Sequence, residues 1–84
     1  MYYLYILSCR GDTLYIGITG NLEKRVQYHN SGNVKFTKNR RPLKLMYYEE
    51  YQDIKIAALR EKQLKGWNRN KKDNLIKFGV PYSK

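Results

Sequence analysis

Two short stretches near the start of the chain alternate between aliphatic and tyrosine side chains, and this alternation constrains the fold more than any other feature. In residues 2–7 and 13–18, aliphatic side chains occupy every second position, as in a β-strand with one face against a core. Residues 8–12 form a turn-forming cluster of hairpin-loop length between them, so the two stretches are predicted to pair as a hairpin. The simplest register places Tyr5 and Tyr15 on one face, and we expect the rest of the chain to complete that face.

The remaining periodicities predict a single α+β domain, with a small three-stranded mixed or antiparallel sheet flanked by three helices. A chain of 84 residues allows one domain, and it buries only about 60–65% of its unfolded surface, so the core is thin. We expect the domain to span residues 1–79 and residues 80–84 to form a C-terminal tail. The predicted order is β-β-α-β-α-α, with later elements at residues 21–30, 43–50, 53–65 and 69–78.

The net charge is the overall property of the sequence that says most about its binding partners. Seventeen Lys and Arg residues against seven Asp and Glu give a formal net charge of +10, which favours a polyanionic partner such as nucleic acid. The alternative is that the charge serves solubility alone. The longest apolar run is far shorter than the ~20 residues that span a bilayer, so no membrane span is expected. The sequence also has no strongly amphipathic basic helix of the kind that binds a membrane surface, so no membrane partner is expected. The single cysteine, Cys9, suits a reducing cytoplasm.

Basic residues are gathered in two blocks. The predicted loop over residues 32–44 holds five basic residues, no acidic residue and one aromatic side chain, Phe36. This mixture suits contact with phosphates and stacking on bases, although a solvated loop has the same composition. The candidate phosphate-binding residues are Lys35, Lys38, Arg40 and Arg41 in the loop and Arg69, Lys71 and Lys72 in the last helix.

The first predicted helix places two polar side chains on its packed side. At 3.6 residues per turn, Leu22, Arg25, Val26 and His29 share one face, with Asn21 as a plausible N-cap. A buried charge without a partner is costly, so Arg25 and His29 need hydrogen-bond or ionic partners. These residues are either parts of a functional site or members of a structural polar pair.

The second predicted helix carries a carboxylate within an apolar stripe. Glu61 falls on the same face as Ile54, Ala57, Ala58 and Leu64. A carboxylate among apolar side chains must find a partner, and Lys65 at i+4 is a purely structural one. The pattern of residues alone leaves a functional and a structural role for Glu61 equally open. In the third strand, Leu43, Leu45 and Tyr47 alternate with Lys44, Met46 and Tyr48 and are therefore predicted to share a face.

The two tyrosine-containing strands resemble the signature of the GIY-YIG nucleases. Tyr3-Leu4-Tyr5 lies where that family carries Gly-Ile-Tyr, and Tyr15-Ile16-Gly17 matches the second signature directly. The resemblance covers nearly the whole chain and is greatest to small stand-alone bacterial members, which are related to the nuclease domain of the excision-repair endonuclease. The chain departs from the pattern at Tyr3, which replaces the first glycine.

The resemblance implies a role for each candidate site residue. It implies that Tyr5 helps to deprotonate the attacking water, that Tyr15 orients groups by hydrogen bonding, and that His29 shares the role of base. Arg25, ten residues after Tyr15, matches the family's arginine and is expected to neutralise the phosphate. Glu61, in the context Leu59-Arg60-Glu61, matches the glutamate that binds Mg²⁺ or Mn²⁺. Many members also have an asparagine near the domain's end, for which Asn68 and Asn74 are candidates.

The expected function is therefore metal-dependent endonucleolytic hydrolysis of nucleic acid, with DNA as the expected substrate, in repair or processing. The chain has no spare element to read base edges in the major groove, which predicts selection by structure rather than by sequence. One site per domain predicts a monomer or weak dimer, with a partner protein as a possible means of delivering substrate. The alternative is a nucleic-acid-binding module with the same fold and no catalysis. A protein-binding scaffold leaves the charge and Glu61 unexplained.

Overall fold

The computed structural model describes residues 1–79, and the predicted tail at 80–84 lies outside the described residues. Strands β1 (Tyr2–Cys9), β2 (Thr13–Thr19) and β3 (Lys44–Tyr51) form one antiparallel sheet in the order β2-β1-β3. Helix α1 (Leu22–Asn30) follows the hairpin, and α2 (Ile54–Lys65) and α3 (Arg69–Phe78) follow the third strand. The predicted order β-β-α-β-α-α is confirmed. Within the predicted loop, residues Lys38–Arg40 form a short 3-10 helix that the sequence did not indicate.

The sheet separates two hydrophobic clusters. On one face, Leu4, Ile6 and Ile16 pack against Leu64 of α2 and Leu75 of α3. The opposite face holds Tyr5, Leu7, Cys9 and Leu43, and α1 covers it with Leu22 and Val26. Tyr5 and Tyr15 lie on this second face with their ring centroids 6.3 Å apart, as the alternation predicted.

A β-bulge in the third strand overturns one predicted alternation. Ile6 pairs with Tyr47 but Leu7 pairs with Leu45, so Met46 is an extra residue in the ladder. Leu45 consequently packs with the tyrosine face, whereas Tyr47 packs with the opposite cluster. The prediction that Leu45 and Tyr47 share a face is wrong, because a one-residue bulge shifts the faces that a strict alternation assigns.

Helix α2 is rotated relative to the stripe predicted for it. Its fully buried residues are Ala57 and Leu64, while Ile54 and Ala58 are exposed. Arg60 lies on the inward side, since it forms a salt bridge with Glu49 in which the two side chains are only 11% and 13% exposed. Glu61 is therefore at the edge of the packed side, with 23% of its side chain exposed, and not at its centre.

Two tyrosine hydroxyls add hydrogen bonds to the Glu49–Arg60 pair. Arg60 donates from Nε and Nη2 to the two carboxylate oxygens of Glu49 at 3.0 and 3.1 Å, and the hydroxyls of Tyr47 and Tyr51 also donate to them. Burial alone raises the pKa of Glu49, but the hydrogen bonds from Arg60 and the tyrosines more than offset this and hold it below its usual value. The network joins β3 to α2. It gives the mostly buried carboxylate of Glu49 its partners.

No helix among residues 1–79 is long and apolar enough to cross a membrane.

Candidate active site

Gly17 gives the Tyr5 hydroxyl its position at the edge of the sheet. Gly17 pairs with Tyr5 across the hairpin, and a Cβ atom built on it would lie 2.5 Å from the Tyr5 hydroxyl oxygen and 2.7 Å from Cζ. The phenol ring therefore lies over the bare backbone of Gly17 and extends across β2. A glycine inside a strand often marks such a close approach.

His29 and Thr37 orient the proton of the Tyr5 hydroxyl. The Tyr5 hydroxyl lies 3.1 Å from Nε2 of His29, and Nδ1 of the same ring lies 2.9 Å from the Thr37 hydroxyl. The Thr37 hydroxyl also lies 3.4 Å from the Val34 carbonyl, which can only accept. We adopt the Nδ1-protonated tautomer, in which Nδ1–H donates to Thr37 and Nε2 accepts from Tyr5, because it uses all three contacts.

Arg25 lies on the other side of the same hydroxyl. Its Nε donates to the Tyr5 oxygen at 3.2 Å, and hydrogen bonding to Tyr5 raises the pKa of Arg25. Tyr15 acts on the pKa of Arg25 in the same direction. The Tyr15 ring also packs edge-on against His29 at 4.8 Å between centroids. The structure thus brings together Tyr5, Tyr15, Arg25 and His29, four of the five residues singled out as catalytic candidates.

The environment sets the protonation state of this network. Burial raises the pKa of Tyr5 above its ordinary value of 10.0, although the hydrogen bond and charge of Arg25 act against the rise. Burial also lowers the pKa of His29 below 6.5, and the nearby Arg25 charge lowers it further. At neutral pH the tyrosine is therefore protonated and the histidine is neutral. This is the state in which Tyr5 can pass its proton to Nε2.

Glu61, the fifth candidate, belongs to α2, the helix whose Leu64 packs with the opposite cluster, and it forms no described hydrogen bond with the other four. Its charge is the smallest of the influences that raise the pKa of Tyr5. It also forms the structural pair with Lys65 that the sequence allowed, at 3.1 Å. The Lys65 side chain is 57% exposed, and an exposed pair of this kind contributes little to stability.

Glu61 is a single, partly exposed carboxylate, which suits a metal ion that takes its other ligands from water and substrate. Residues 1–79 contain no cluster of three or more His, Cys, Asp or Glu side chains that would form a dedicated protein cage. Mg²⁺ keeps several waters and commonly binds through one or two carboxylates together with substrate phosphates. The partly exposed oxygens of Glu61 match that requirement, and the neighbouring Lys65 is free to swing away into solvent.

The basic loop forms one wall of the site. Phe36 is 48% exposed, its ring lies 5.6 Å from that of Tyr15, and the Arg40 guanidinium covers it at 4.4 Å. Arg40 also donates to the Phe36 carbonyl at 2.5 Å. The predicted loop residues Lys35, Lys38 and Arg41 are exposed on the same segment. An aromatic ring and cations are thus adjacent to the tyrosine network.

The second basic block lies on α3, and its members differ in their surroundings. Arg69 bonds Asp12 at 3.0 Å and Asp73 at 2.9 Å, so acidic neighbours compensate its charge. The Lys71 ammonium lies 5.7 Å from the centre of the Trp67 ring, and Lys72 is partly buried. The partners shown for Arg69 and Lys71 lie in the hairpin loop, in α3 and at Trp67, and none of these is part of the tyrosine network.

The sequence analysis missed two residues that position the side chains of the tyrosine network, Thr37 and Gly17. Thr37 is fully buried and sets the tautomer of His29, but it lay within a segment predicted as loop. Gly17 was quoted only as part of a signature, although a glycine in a strand is itself a sign of a close contact. Of the two candidate asparagines, Asn68 caps α3 by accepting from the Lys71 amide at 2.9 Å, and Asn74 is exposed.

Comparisons with known proteins agree with this architecture. Residues 1–74 match the sequence profile described as the GIY-YIG catalytic domain. A UPF0213 protein of Clostridium perfringens is 46% identical over 77 residues, covering 90% of this chain and 83% of the relative. One from Syntrophus aciditrophicus is 48% identical over 77 residues, covering 89% and 88%. The solution NMR structure of a UPF0213 protein from Bacillus halodurans has a TM-score of 0.62 and 33% identity, covering 98% of this chain and 90% of that one.

Proposed function

This chain belongs to the GIY-YIG family, and on that premise we propose that it is an endonuclease that hydrolyses nucleic-acid phosphodiester bonds with a divalent metal ion. The observation that carries the proposal is the Tyr5 hydroxyl, which lies between an acceptor on His29 and a donor on Arg25. A purely structural tyrosine needs one partner. Two partners of opposite polarity make this oxygen suitable for taking up one proton while it gives up another.

The proton path follows from the assigned tautomer. The Tyr5 oxygen accepts a proton from the attacking water as its own proton passes to Nε2 of His29 over 3.1 Å. The raised pKa of Tyr5 means that a free phenolate is not formed beforehand, so the two transfers are coupled. Thr37 holds the ring in place and accepts from Nδ1 throughout.

Arg25 and Tyr15 supply the electrostatic part of the reaction. The Arg25 guanidinium stabilises negative charge on the Tyr5 oxygen, and its remaining donors are available to a phosphate oxygen. Tyr15, beside both Arg25 and His29, orients these groups. Preorganised donors of this kind are effective because they need no rearrangement as charge develops.

Glu61 would hold one Mg²⁺ or Mn²⁺ ion. When bound, such an ion supplies positive charge to the phosphate and to the leaving 3′ oxygen. Release of Lys65 from Glu61 accompanies binding, since both cations require the same carboxylate.

The substrate we propose is DNA, selected by strand state or branching and not by sequence. The net charge of +10 favours a nucleic-acid backbone, and Phe36 beside Tyr15 offers a ring on which an unpaired base can stack. The described helices of the protein pack on the sheet or carry site residues. For this reason we propose that none of them reads base edges in the major groove. We place the activity in DNA repair or processing in the cytoplasm, with a monomer nicking one strand at a time and a partner protein delivering the substrate where two cuts are needed.

The proposal is tested by incubating the purified protein with labelled single-stranded, duplex, flap and branched DNA, and with matched RNA, in Mg²⁺, Mn²⁺ or a chelator. Cleavage is expected only with metal, at scattered positions, with nicked circles as the first product from supercoiled plasmid. Glu61→Gln should abolish cleavage while binding stays within a few fold, and Lys65→Gln is the control that removes the competing cation. Binding of these nucleic acids without cleavage of any of them would support a non-catalytic binding module instead.

A further inference from the structure

We infer that a basic cleft next to the candidate site binds a second phosphate group of the substrate, one that is not cleaved. The cleft has a volume of about 650 Å³ and is open to solvent. Its lining residues are Arg10, Asn30, Lys38, Asn39, Arg41 and Pro42, and they define what we call the basic cleft. The inference rests on the proposed function only in taking the phosphate to be part of a nucleic acid.

The charges of the basic cleft are all of one sign. Arg10 comes from the loop of the hairpin, whereas Lys38 and Arg41 both come from the basic loop, and no carboxylate is among the lining residues of this part of the structure. Like charges gathered in a concavity repel one another, and a concave surface also focuses their field. An anion held there relieves the repulsion, and the neighbouring amides of Asn30 and Asn39 are further polar groups at its wall.

Hydrogen bonds to backbone carbonyls fix the position of the Arg41 guanidinium in the basic cleft. Its Nε donates to the Lys38 carbonyl at 2.8 Å and its Nη1 to the Asn30 carbonyl at 3.3 Å. Gly32 has a φ of +85°, and a Cβ there would lie 2.9 Å from Nη1 of Arg41, so the absence of a side chain makes room for the guanidinium. The side chain is thus fixed by backbone contacts that leave its charge uncompensated, which reduces the entropy lost when it binds an anion.

Other arginines of the chain are engaged differently. Arg69 is paired with two carboxylates, Arg60 is paired with Glu49, and Arg40 lies over Phe36. By contrast, the exposed guanidinium of Arg10 forms no ion pair within residues 1–79, and its backbone amide bonds the Arg40 carbonyl at 2.8 Å. That backbone bond fixes the hairpin loop to the basic loop and keeps Arg10 at the cleft.

The basic cleft and the candidate site share the segments that build them. Asn30 directly follows His29 on α1, and Lys38 directly follows Thr37, the residue that orients His29. A nucleic acid bound in the basic cleft is therefore positioned by the same backbone that positions the proposed base. We assign the basic cleft to a flanking phosphate, whose contact raises affinity and fixes the register of the strand.

The test measures binding in the presence of a chelator, so that no cleavage occurs. Anisotropy of labelled single-stranded and duplex oligonucleotides is recorded over a range of salt concentrations for the wild type, Arg10→Gln and Arg41→Gln. Lys55→Gln is the matched control, because Lys55 is an exposed lysine on α2 and removes the same charge elsewhere. Each cleft variant is expected to lower the slope of log K against log salt by about 1, which at 0.1 M salt corresponds to roughly tenfold weaker binding. Lys55→Gln should leave the slope unchanged.

Amide chemical shifts locate the contact independently of any variant. Titration with an oligonucleotide, and separately with inorganic phosphate, should shift the amides of Arg10 and residues 38–41 in both cases. If inorganic phosphate shifts these amides and the oligonucleotide does not, the cleft is a site for a small phosphorylated molecule, and the inference is overturned. Equal slopes for the cleft variants and wild type would also overturn it, even if cleavage is observed. Failure to cleave any substrate would instead count against the proposed function and leave the binding result unaffected.

Discussion

Replacement of Gly17 by alanine is the sharpest local test of how the tyrosine network is held. The added Cβ would lie 2.5 Å from the Tyr5 hydroxyl oxygen, whereas ordinary contacts begin at 3.4 Å, so the phenol must move by about 0.9 Å. Tyr5 is 1% exposed and cannot simply rotate into solvent. The movement must lengthen its hydrogen bonds to His29 and Arg25.

The expected magnitudes follow from that displacement. Overpacking of a tight core contact costs about 1–3 kcal/mol, so the free energy of unfolding should fall by that amount. Misplacement of a reacting group by about 1 Å costs roughly 10²-fold in rate, so cleavage should fall more than stability alone explains. In a Tyr5→Phe background the penalty on stability should be smaller, because the closest atom, the hydroxyl oxygen, is gone.

Urea denaturation and single-turnover cleavage, recorded on the same preparations, measure both effects. Gly20→Ala is the matched control, since a Cβ at Gly20 meets no atom within 4 Å. Wild-type stability and rate in Gly17→Ala would refute the proposal that this glycine makes room for the tyrosine. So would equal losses in the two glycine variants.

Three further predictions concern the buried polar groups. Arg60→Ala should lower the free energy of unfolding by about 3 kcal/mol in urea denaturation, because it leaves the carboxylate of Glu49 buried without its cation; a change below about 0.5 kcal/mol would contradict this. The pKa of Glu49 is lower in the folded state than its ordinary value of 4.5. Glu49 should therefore stabilise the folded protein fully above pH 4.5, and this stabilisation should be lost as the pH falls below that value. The stability of Arg60→Ala should depend less on pH in this acidic range. His29 faces Tyr5, Tyr15, Arg25 and Thr37, and burial and the Arg25 charge lower its pKa below 6.5. The single-turnover rate should therefore be steady above pH 6.5 and fall as the pH drops through the pKa of His29 in the folded protein. A rate that rises between pH 7 and pH 5 would exclude neutral His29 as the proton acceptor.

The features that the sequence predicted well are those with a strict period or a local cap. The hairpin, the shared face of Tyr5 and Tyr15, and the order of the six elements follow from alternation, and Asn21 caps α1 by accepting from the Lys24 amide. His29 and Val26 face the sheet as the helical period required. Each of these depends on contacts near in sequence or on one repeated spacing.

The features that were missed depend on contacts between distant residues. The β-bulge at Met46 changes which face Tyr47 occupies, and no turn residue or proline marks it. Arg60 displaces Glu61 from the centre of the packed side because Glu49, eleven residues away, supplies a carboxylate for it. Thr37 is buried because His29 needs an acceptor for Nδ1–H, a requirement that becomes visible only when the loop is placed against α1.

The central claim is that the hydroxyl of Tyr5 moves a proton during cleavage, and Tyr5→Phe tests it most directly. This change removes only the oxygen that bonds His29 and Arg25 and keeps the ring over Gly17. In single-turnover cleavage with saturating protein and Mg²⁺ or Mn²⁺, the rate should fall by about 10²–10⁴-fold, the usual contribution of a positioned acid or base. Affinity for the uncleaved nucleic acid, measured with chelator, should stay within a few fold. A Tyr5→Phe protein that cleaves at the wild-type rate would contradict the account.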